Sequence, residues 1–326
     1  MSLVEIMVSL LIGIVVIAGA LTAHQQYSAA LRTATTVARL QEVARLALDV
    51  LEADIRMANY WGLNNQPASI DNRAEPGVAL PPPFNAAQGT RIDQCGGAGS
   101  RWAIHLEEYI GGSDDGYALA CAAVGTASGG ADTLIVRRGS DAAPESLDAN
   151  RIHLQTTRTV GTLFVPASGC TNPANVSCLP TGYTPAASQT RRLVVHAYYV
   201  VTSSPLKPGL PALRRKAFGN VNAAAVADAI SDEEIAPGVE DLQVRFGIDT
   251  DGNGSVDQYV DPGAVPANAA PVSATLWLRI RSEELEIGHV DSTAYHYADM
   301  ATAWTPNDAH RRIVVSKTLD LRNASS

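Results

Sequence analysis

The sequence predicts an α+β protein, one long N-terminal α-helix packed on an antiparallel, loop-rich β-sheet head. Three observations carry this. No proline occurs before Pro67. Residues 25–58 are mainly good helix formers, with Ala, Leu, Arg and Glu frequent. Beyond Gly62 the composition turns to Asn, Pro, Gly and Ala, and the apolar period shifts from helical toward strand-like.

The helix has two parts. Residues Ile6 to Ala23 are almost wholly apolar (IMVSLLIGIVVIAGALTA). At 1.5 Å per residue this run spans about 27 Å, close to the hydrocarbon thickness of a bilayer. A cleaved signal peptide would carry a basic leader region and a shorter apolar core. Here no Lys or Arg precedes Arg32, and the apolar run starts almost at residue 1. Farther along, Val37, Leu40, Ala44, Ala47, Leu48, Leu51 and Ile55 fall on one face, a stripe that must lie against something. Arg45–Asp49 and Glu52–Arg56 are i, i+4 pairs for the opposite side, and Gly62 is the expected residue after the helix end.

Glu5 is the one charge in this apolar stretch. A carboxylate there costs about 2.5–3.5 kcal/mol or more and needs a partner. Two readings stand: a neighbouring subunit's N-terminal amine neutralises it, or it sits unpaired among lipid headgroups.

In the head, strands are expected at Ala103–Leu106, Thr133–Arg137, Arg191–Val201, Glu240–Ile248, Thr275–Arg281 and Arg312–Leu321. Asn64–Ser100 reads as a long irregular loop, and the Ala-rich Asn220–Ile235 as the place for a short helix. Cys95, Cys121, Cys170 and Cys178 form no C-x-x-C pair and have no histidine at zinc-like spacing. An even count points to two disulfides in an oxidising compartment, and four buried thiols are the alternative. Of the three pairings, Cys95–Cys121 with Cys170–Cys178 needs the least rearrangement.

The formal net charge of -9 argues against a nucleic-acid-coating surface, with Leu213–Lys216 (LRRK) the one local basic patch to watch. No hydrolase, zinc-protease or nucleotide-binding motif occurs, so no catalytic residue and no enzyme activity are expected. His289 and His296 stand near Asp291 and Asp299, a pattern open to a metal but ordinary for a polar loop. The strongest chemical motif is DTDGNGSVD. Asp249, Asp251, Asn253 and Asp257 fall at positions 1, 3, 5 and 9 of a calcium loop, Gly254 at position 6, and the Ser255 carbonyl at position 7. Position 12 is Val260 rather than an acid, and Asp261 comes one residue late. The flanks VRFGI and QYV read as strands. A calcium site and a plain polar hairpin loop both fit, because Asp, Asn and Gly are also turn residues.

The opening MSLVEIMVSLLIGIVVIAGAL resembles the mature N-terminus of a type IV pilin, with Glu5 at the glutamate characteristic of that family. The segments Leu40–Gly62 (ending MANYWG) and Gly238–Val260 (GVEDLQVRFGIDTDGNGSVDQYV) resemble the PilW-type minor pilins in particular. The resemblance implies a pilin-like fold divided into a spine helix (1–62, of which 1–23 form the membrane or filament-core part) and a periplasmic, later extracellular, head (63–326). It implies a minor pilin that primes filament assembly near the pilus tip. The expected partners are other minor pilins, the major pilin and a tip adhesin of the PilY family, with the inner membrane holding the chain before assembly. A pseudopilin of a type II secretion system would share the helix and is the alternative. A membrane-anchored periplasmic enzyme or receptor is a third reading. Residue 1 is Met where the family usually has Phe. Either the numbering is that of the processed chain, or the sequence starts at an initiating Met. The position of Glu5 favours the first, which implies an N-methylated amine on Met1 pairing with a neighbour's Glu5.

Overall fold

The computed structural model describes residues 2–266 and 269–324. Helix α1 runs Leu3–Met57, 55 residues without a break. Its first half stands clear of the rest of the chain. From Thr33 onward one face is covered, with Leu40, Ala44, Ala47, Leu51 and Ile55 at most 3% exposed. This is the predicted stripe. The opposite face carries the predicted pairs, Arg45–Asp49 at 3.7 Å and Arg56–Glu52 at 2.6 Å.

The helix stops earlier than Gly62. Ala58 leaves helical geometry, and Asn59 takes the left-handed conformation with φ 62°. Its amide then donates to the carbonyls of Asn65 and Asn323, and its Oδ1 accepts from the indole of fully buried Trp61. Gly62 is required for another reason. Its φ is 109°, and a Cβ there would meet Thr156 Oγ1 at 2.7 Å. The N-Y-W-G run is therefore a knot that ties the helix end to the sheet and to the chain's C-terminal segment.

Among the described residues, twelve strands build the head: β1 (Ile70–Asp71), β2 (Ile110–Ser113), β3 (Thr133–Gly139), β4 (His153–Thr156), β5 (Gly161–Phe164), β6 (Gln189–Val201), β7 (Ala212–Phe218), β8 (Ile230–Pro237), β9 (Val239–Asp249), β10 (Gln258–Val260), β11 (Ala270–Arg281) and β12 (Arg312–Asp320). One sheet runs β1-β5-β4-β6-β3-β2, with β7 and β8 branching from β6. The other runs β10-β9-β11-β12. Every pairing is antiparallel except β1 with β5. Helix α1 lies across β12, β11, β8 and β3, so it closes one hydrophobic core shared by both sheets.

Five of the six expected strands are present. Ala103–Leu106 is not: Trp102–Ile104 forms a 3-10 turn, with Trp102, Ala103 and Ile104 all buried. A four-residue apolar run does not distinguish a strand from a buried turn. The Ala-rich segment holds only a 3-10 turn, Val226–Ala229, and then continues as β8, whose edge is needed to pair β7. Within the region read as loop lies a helix, α2 (Ala86–Ile92), started by an Asn85–Gln88 capping box. The disulfides are Cys95–Cys121 and Cys170–Cys178, the sequential pairing.

Candidate functional site

The first functional feature is the free part of α1. Leu3, Val4, Ile6, Met7, Val8, Leu10, Leu11, Ile12 and the apolar residues through Leu21 are all about half exposed or more. This helix is long and apolar enough to cross a membrane. Nothing in its own head covers it. In this single chain Glu5 accepts a hydrogen bond from the Ser2 amide at 2.8 Å, and Ser2 Oγ accepts from Val4 N–H, a helix-starting capping box. The box satisfies Glu5's geometry but leaves its charge unneutralised. The expected amine of Met1 lies outside the described residues.

The second is the β9–β10 hairpin. As the flanking pattern required, strands and not helices bracket DTDGNGSVD. The carboxylates of Asp249, Asp251 and Asp257 come within 4.8 Å of one another. Asp249 accepts from the backbone N–H groups of Gly252 and Gly254, both at 2.7 Å. These bonds, that from Gly254 foremost, hold its carboxyl below the usual range. Asn253 Oδ1 accepts from Ser255 N–H, and Asp257 accepts from the Thr250 hydroxyl and amide. Three hard oxygen donors at this spacing fit a calcium ion, which takes six to eight oxygens. Asp261 does not complete the set. It pairs with Arg245 at 2.8 Å instead.

A third cluster was not legible in the sequence. Asp115, Asp132, Asp261 and Asp299 crowd around Asp114, drawn from the β2–β3 connection, the segment after β10 and the long excursion between β11 and β12. Asp132 is buried, and its two oxygens accept from the amides of Asp115 and Val244. Burial and the nearby carboxylates push Asp132 up to about 8, and burial with Asp299 pushes Asp114 up to about 6. Only contact between segments up to 185 positions apart, as for Asp114 and Asp299, produces this crowding. No local motif signals it.

Other candidates resolve differently. His289 and His296 join no group of clustered ligands among the described residues. Asp291 is spent on Tyr295 and Arg312. The basic patch Leu213–Lys216 is neutralised by β8: Arg214 and Lys216 pair with Asp232, and Arg215 pairs with Glu233.

Residues 197–323 match the family model of PilW, the type IV pilus-assembly protein W. Neither the curated proteins nor the solved structures contain a match to the chain.

The PilW-matching region takes in the end of β6 and all of β7–β12, including Gly238–Val260, one of the two segments that carried the resemblance. The other, Leu40–Gly62, lies outside the matched range but packs directly on it. Asp54 of α1 is 3% exposed and is held by Arg138 of β3 (2.8 Å and 3.0 Å) and by His196 and Tyr198 of β6. Burial raises its carboxyl, but hydrogen bonds from His196 and Tyr198 and the charge of Arg138 outweigh it and keep the group well below the usual range. Glu52 pairs with Lys317 of β12. The spine is thus joined to the head by charge as well as by apolar packing, with Tyr198 and Lys317 the polar partners inside the PilW-matching range.

Proposed function

We propose that this chain is a minor pilin of a type IV pilus, priming filament assembly and standing in the tip complex that carries an adhesin. The observation that carries the reading is the PilW match on a head whose spine helix leaves thirteen large apolar residues from Leu3 to Leu21 exposed. Such a helix needs an apolar surround, first the inner membrane and then the helices of other pilins in a filament core. A type II secretion pseudopilin would use the same helix, and the PilW match favours the pilus.

In the filament, Glu5 exchanges its capping bond with Ser2 for the Met1 amine of a neighbour, neutralising two charges that are costly in an apolar core. Glu5→Ala is therefore expected to abolish piliation while the protein level and head fold stay normal. Normal piliation in that variant overturns the role. Cross-linking in cells from position 1 and from the β9–β10 loop should capture minor pilins, major pilin or a PilY-type adhesin. Capture of secretion-system components instead would favour the pseudopilin.

The β9–β10 loop is proposed to bind calcium through Asp249, Asp251, Asn253, the Ser255 carbonyl and Asp257, with the weak, millimolar affinity of extracellular sites. Calorimetric titration of the whole chain in detergent should show binding that Asp251→Asn with Asp257→Asn removes. The absence of both heat and thermal shift at millimolar calcium overturns this claim.

A further inference from the structure

Strand β12 is the outer strand of its sheet, and its ladder with β11 fixes which way its free main-chain groups face. The Leu321 amide donates to the Val272 carbonyl at 2.9 Å, and the Ser282 amide donates to the Arg311 carbonyl at 2.8 Å. Between these two bonds the register is unbroken, from Ser273 opposite Asp320 to Arg281 opposite Arg312. Hydrogen-bonded pairs alternate along an antiparallel ladder. Ile313, Val315, Lys317 and Leu319 therefore spend both main-chain groups on β11. Arg312, Val314, Ser316, Thr318 and Asp320 turn theirs away from it. Among the described residues, β11 is the one strand paired with β12, and no other main-chain group bonds to the backbone of those five. Arg312 shows that this edge meets water. Its side chain is 1% exposed, yet the residue as a whole is half-buried, so the exposed part is backbone. Ser316, Thr318 and Asp320 are exposed.

Sheets blunt such edges with short strands, charges or bulges. The other outer strands do so. β1, β2 and β10 have two, four and three residues. β8 carries Asp232, Glu233 and Glu234 and a bulge against β7. β12 has nine residues, no proline and no bulge against β11. Its lysine, Lys317, turns to the spine and pairs with Glu52. The open groups themselves name what fits them. Amides and carbonyls that recur every two residues, about 6.8 Å, are matched by another extended chain. A helix keeps its main-chain groups for itself. Side chains add a pattern: Ile313 and Val315 are only partly buried on the core side, and Ser316 and Thr318 stand on the other. An incoming strand that alternates apolar and polar residues meets both. A second copy of this chain does not fit through the same edge. Antiparallel β12–β12 pairing needs a two-fold axis normal to the sheet, which points the second spine the opposite way. One bilayer cannot hold both spines.

We propose that the β12 edge is a docking strand. It takes up an extended segment of another pilus subunit, which continues the β10-β9-β11-β12 sheet as a fifth strand. This rests on the pilus reading of the chain.

The test separates backbone from side chain at one position. Proline at an outward-facing edge position removes an unbonded amide and leaves the ladder to β11 whole. In detergent, the whole chain with Ser316→Pro should melt close to the parent, whereas Lys317→Pro breaks the ladder and should melt far lower. In cells, Ser316→Pro should cut both piliation and the amount of this chain in sheared pili several-fold at normal protein level. Ser316→Ala keeps the amide and should leave both unchanged. Normal piliation and incorporation of Ser316→Pro overturn the proposal. An equal loss in Ser316→Ala overturns it too, because the hydroxyl then makes the contact. Amide hydrogen exchange on the unaltered chain checks the row without any substitution. The amides of Val314, Ser316 and Thr318 should exchange many-fold faster than those of Val315 and Lys317, and slow exchange at all five overturns the proposal. An oligomer of the purified chain that Ser316→Pro dissociates means that a second copy fills the edge, which overturns the choice of partner. Failure of the pilus reading looks different: the unaltered chain is then missing from sheared pili, Glu5→Ala piliates normally, and the proposed partner falls with that reading.

Discussion

Asp54 is the residue on which the spine–head joint turns. A buried carboxylate on a helix face otherwise made of Leu, Ala and Ile would be unstable by itself, and it is stable here because Arg138, His196 and Tyr198 all reach it. Asp54→Ala leaves the Arg138 guanidinium largely buried without its counter-charge, which costs about 3–5 kcal/mol. Denaturant unfolding in micelles should show a loss of that size, whereas Asp49→Ala, on the exposed face, should change stability by less than about 1 kcal/mol. A loss below about 1 kcal/mol for Asp54→Ala would mean that apolar packing alone holds the helix. In the sequence, Asp54 looks like any acid beside the apolar stripe. Its partners lie 84 to 144 positions away.

At the scale of elements, α1 was legible almost throughout, because a period of 3.6 and the absence of proline are local facts. Its end was not. Asn59 and Gly62 both take positive φ, and which of them ends the helix depends on Trp61 finding a buried site. The disulfides were readable only as the simplest of three pairings. They close loops with sequence separations of 26 and 8. In the chain-entropy picture these stabilise by about 3.5 and 2.5 kcal/mol. Replacing Cys95 with Cys121 by alanines should therefore lower the melting temperature more than replacing Cys170 with Cys178. The reverse order would mean that the Cys170–Cys178 loop is doing more than closing a short ring. The 3-10 turn at Trp102 and the helix α2 escaped detection because short elements rest on tertiary contacts more than on propensity.

For the whole molecule, opposing groups of carboxylates set the pH dependence. Asp132 and Asp114 are raised to about 8 and about 6, above the unfolded value of about 3.9, so between those limits the folded state binds more protons than the unfolded one. Stability then falls as pH rises through that window. Asp54 and Asp308 are held below the ordinary carboxylate range and Glu286 down to about 2, so their contribution is lost as pH falls below about 4. With chelator present, the melting temperature should peak at about pH 4 and decline toward both pH 2 and pH 8. Asp114→Asn should raise it most at pH 8, about half as much at pH 5, and leave it nearly unchanged below about pH 4. A flat profile from pH 5 to 8 would show that the carboxylates around Asp114 do not repel one another in solution.

The sequence by itself determined the parts whose physics is local: an apolar run of bilayer length, an amphipathic continuation, one charge at position 5, and a hairpin whose acids fall at calcium-loop spacing. Tertiary structure alone decided what depends on distant segments meeting. It set the counter-charges of Asp54, the pairing of the LRRK cations with β8, and the crowding of four aspartates around Asp114. Periodicity and turn chemistry are written in neighbouring residues. Burial and the pairing of charges are not, because they arise only when the chain folds back on its own spine.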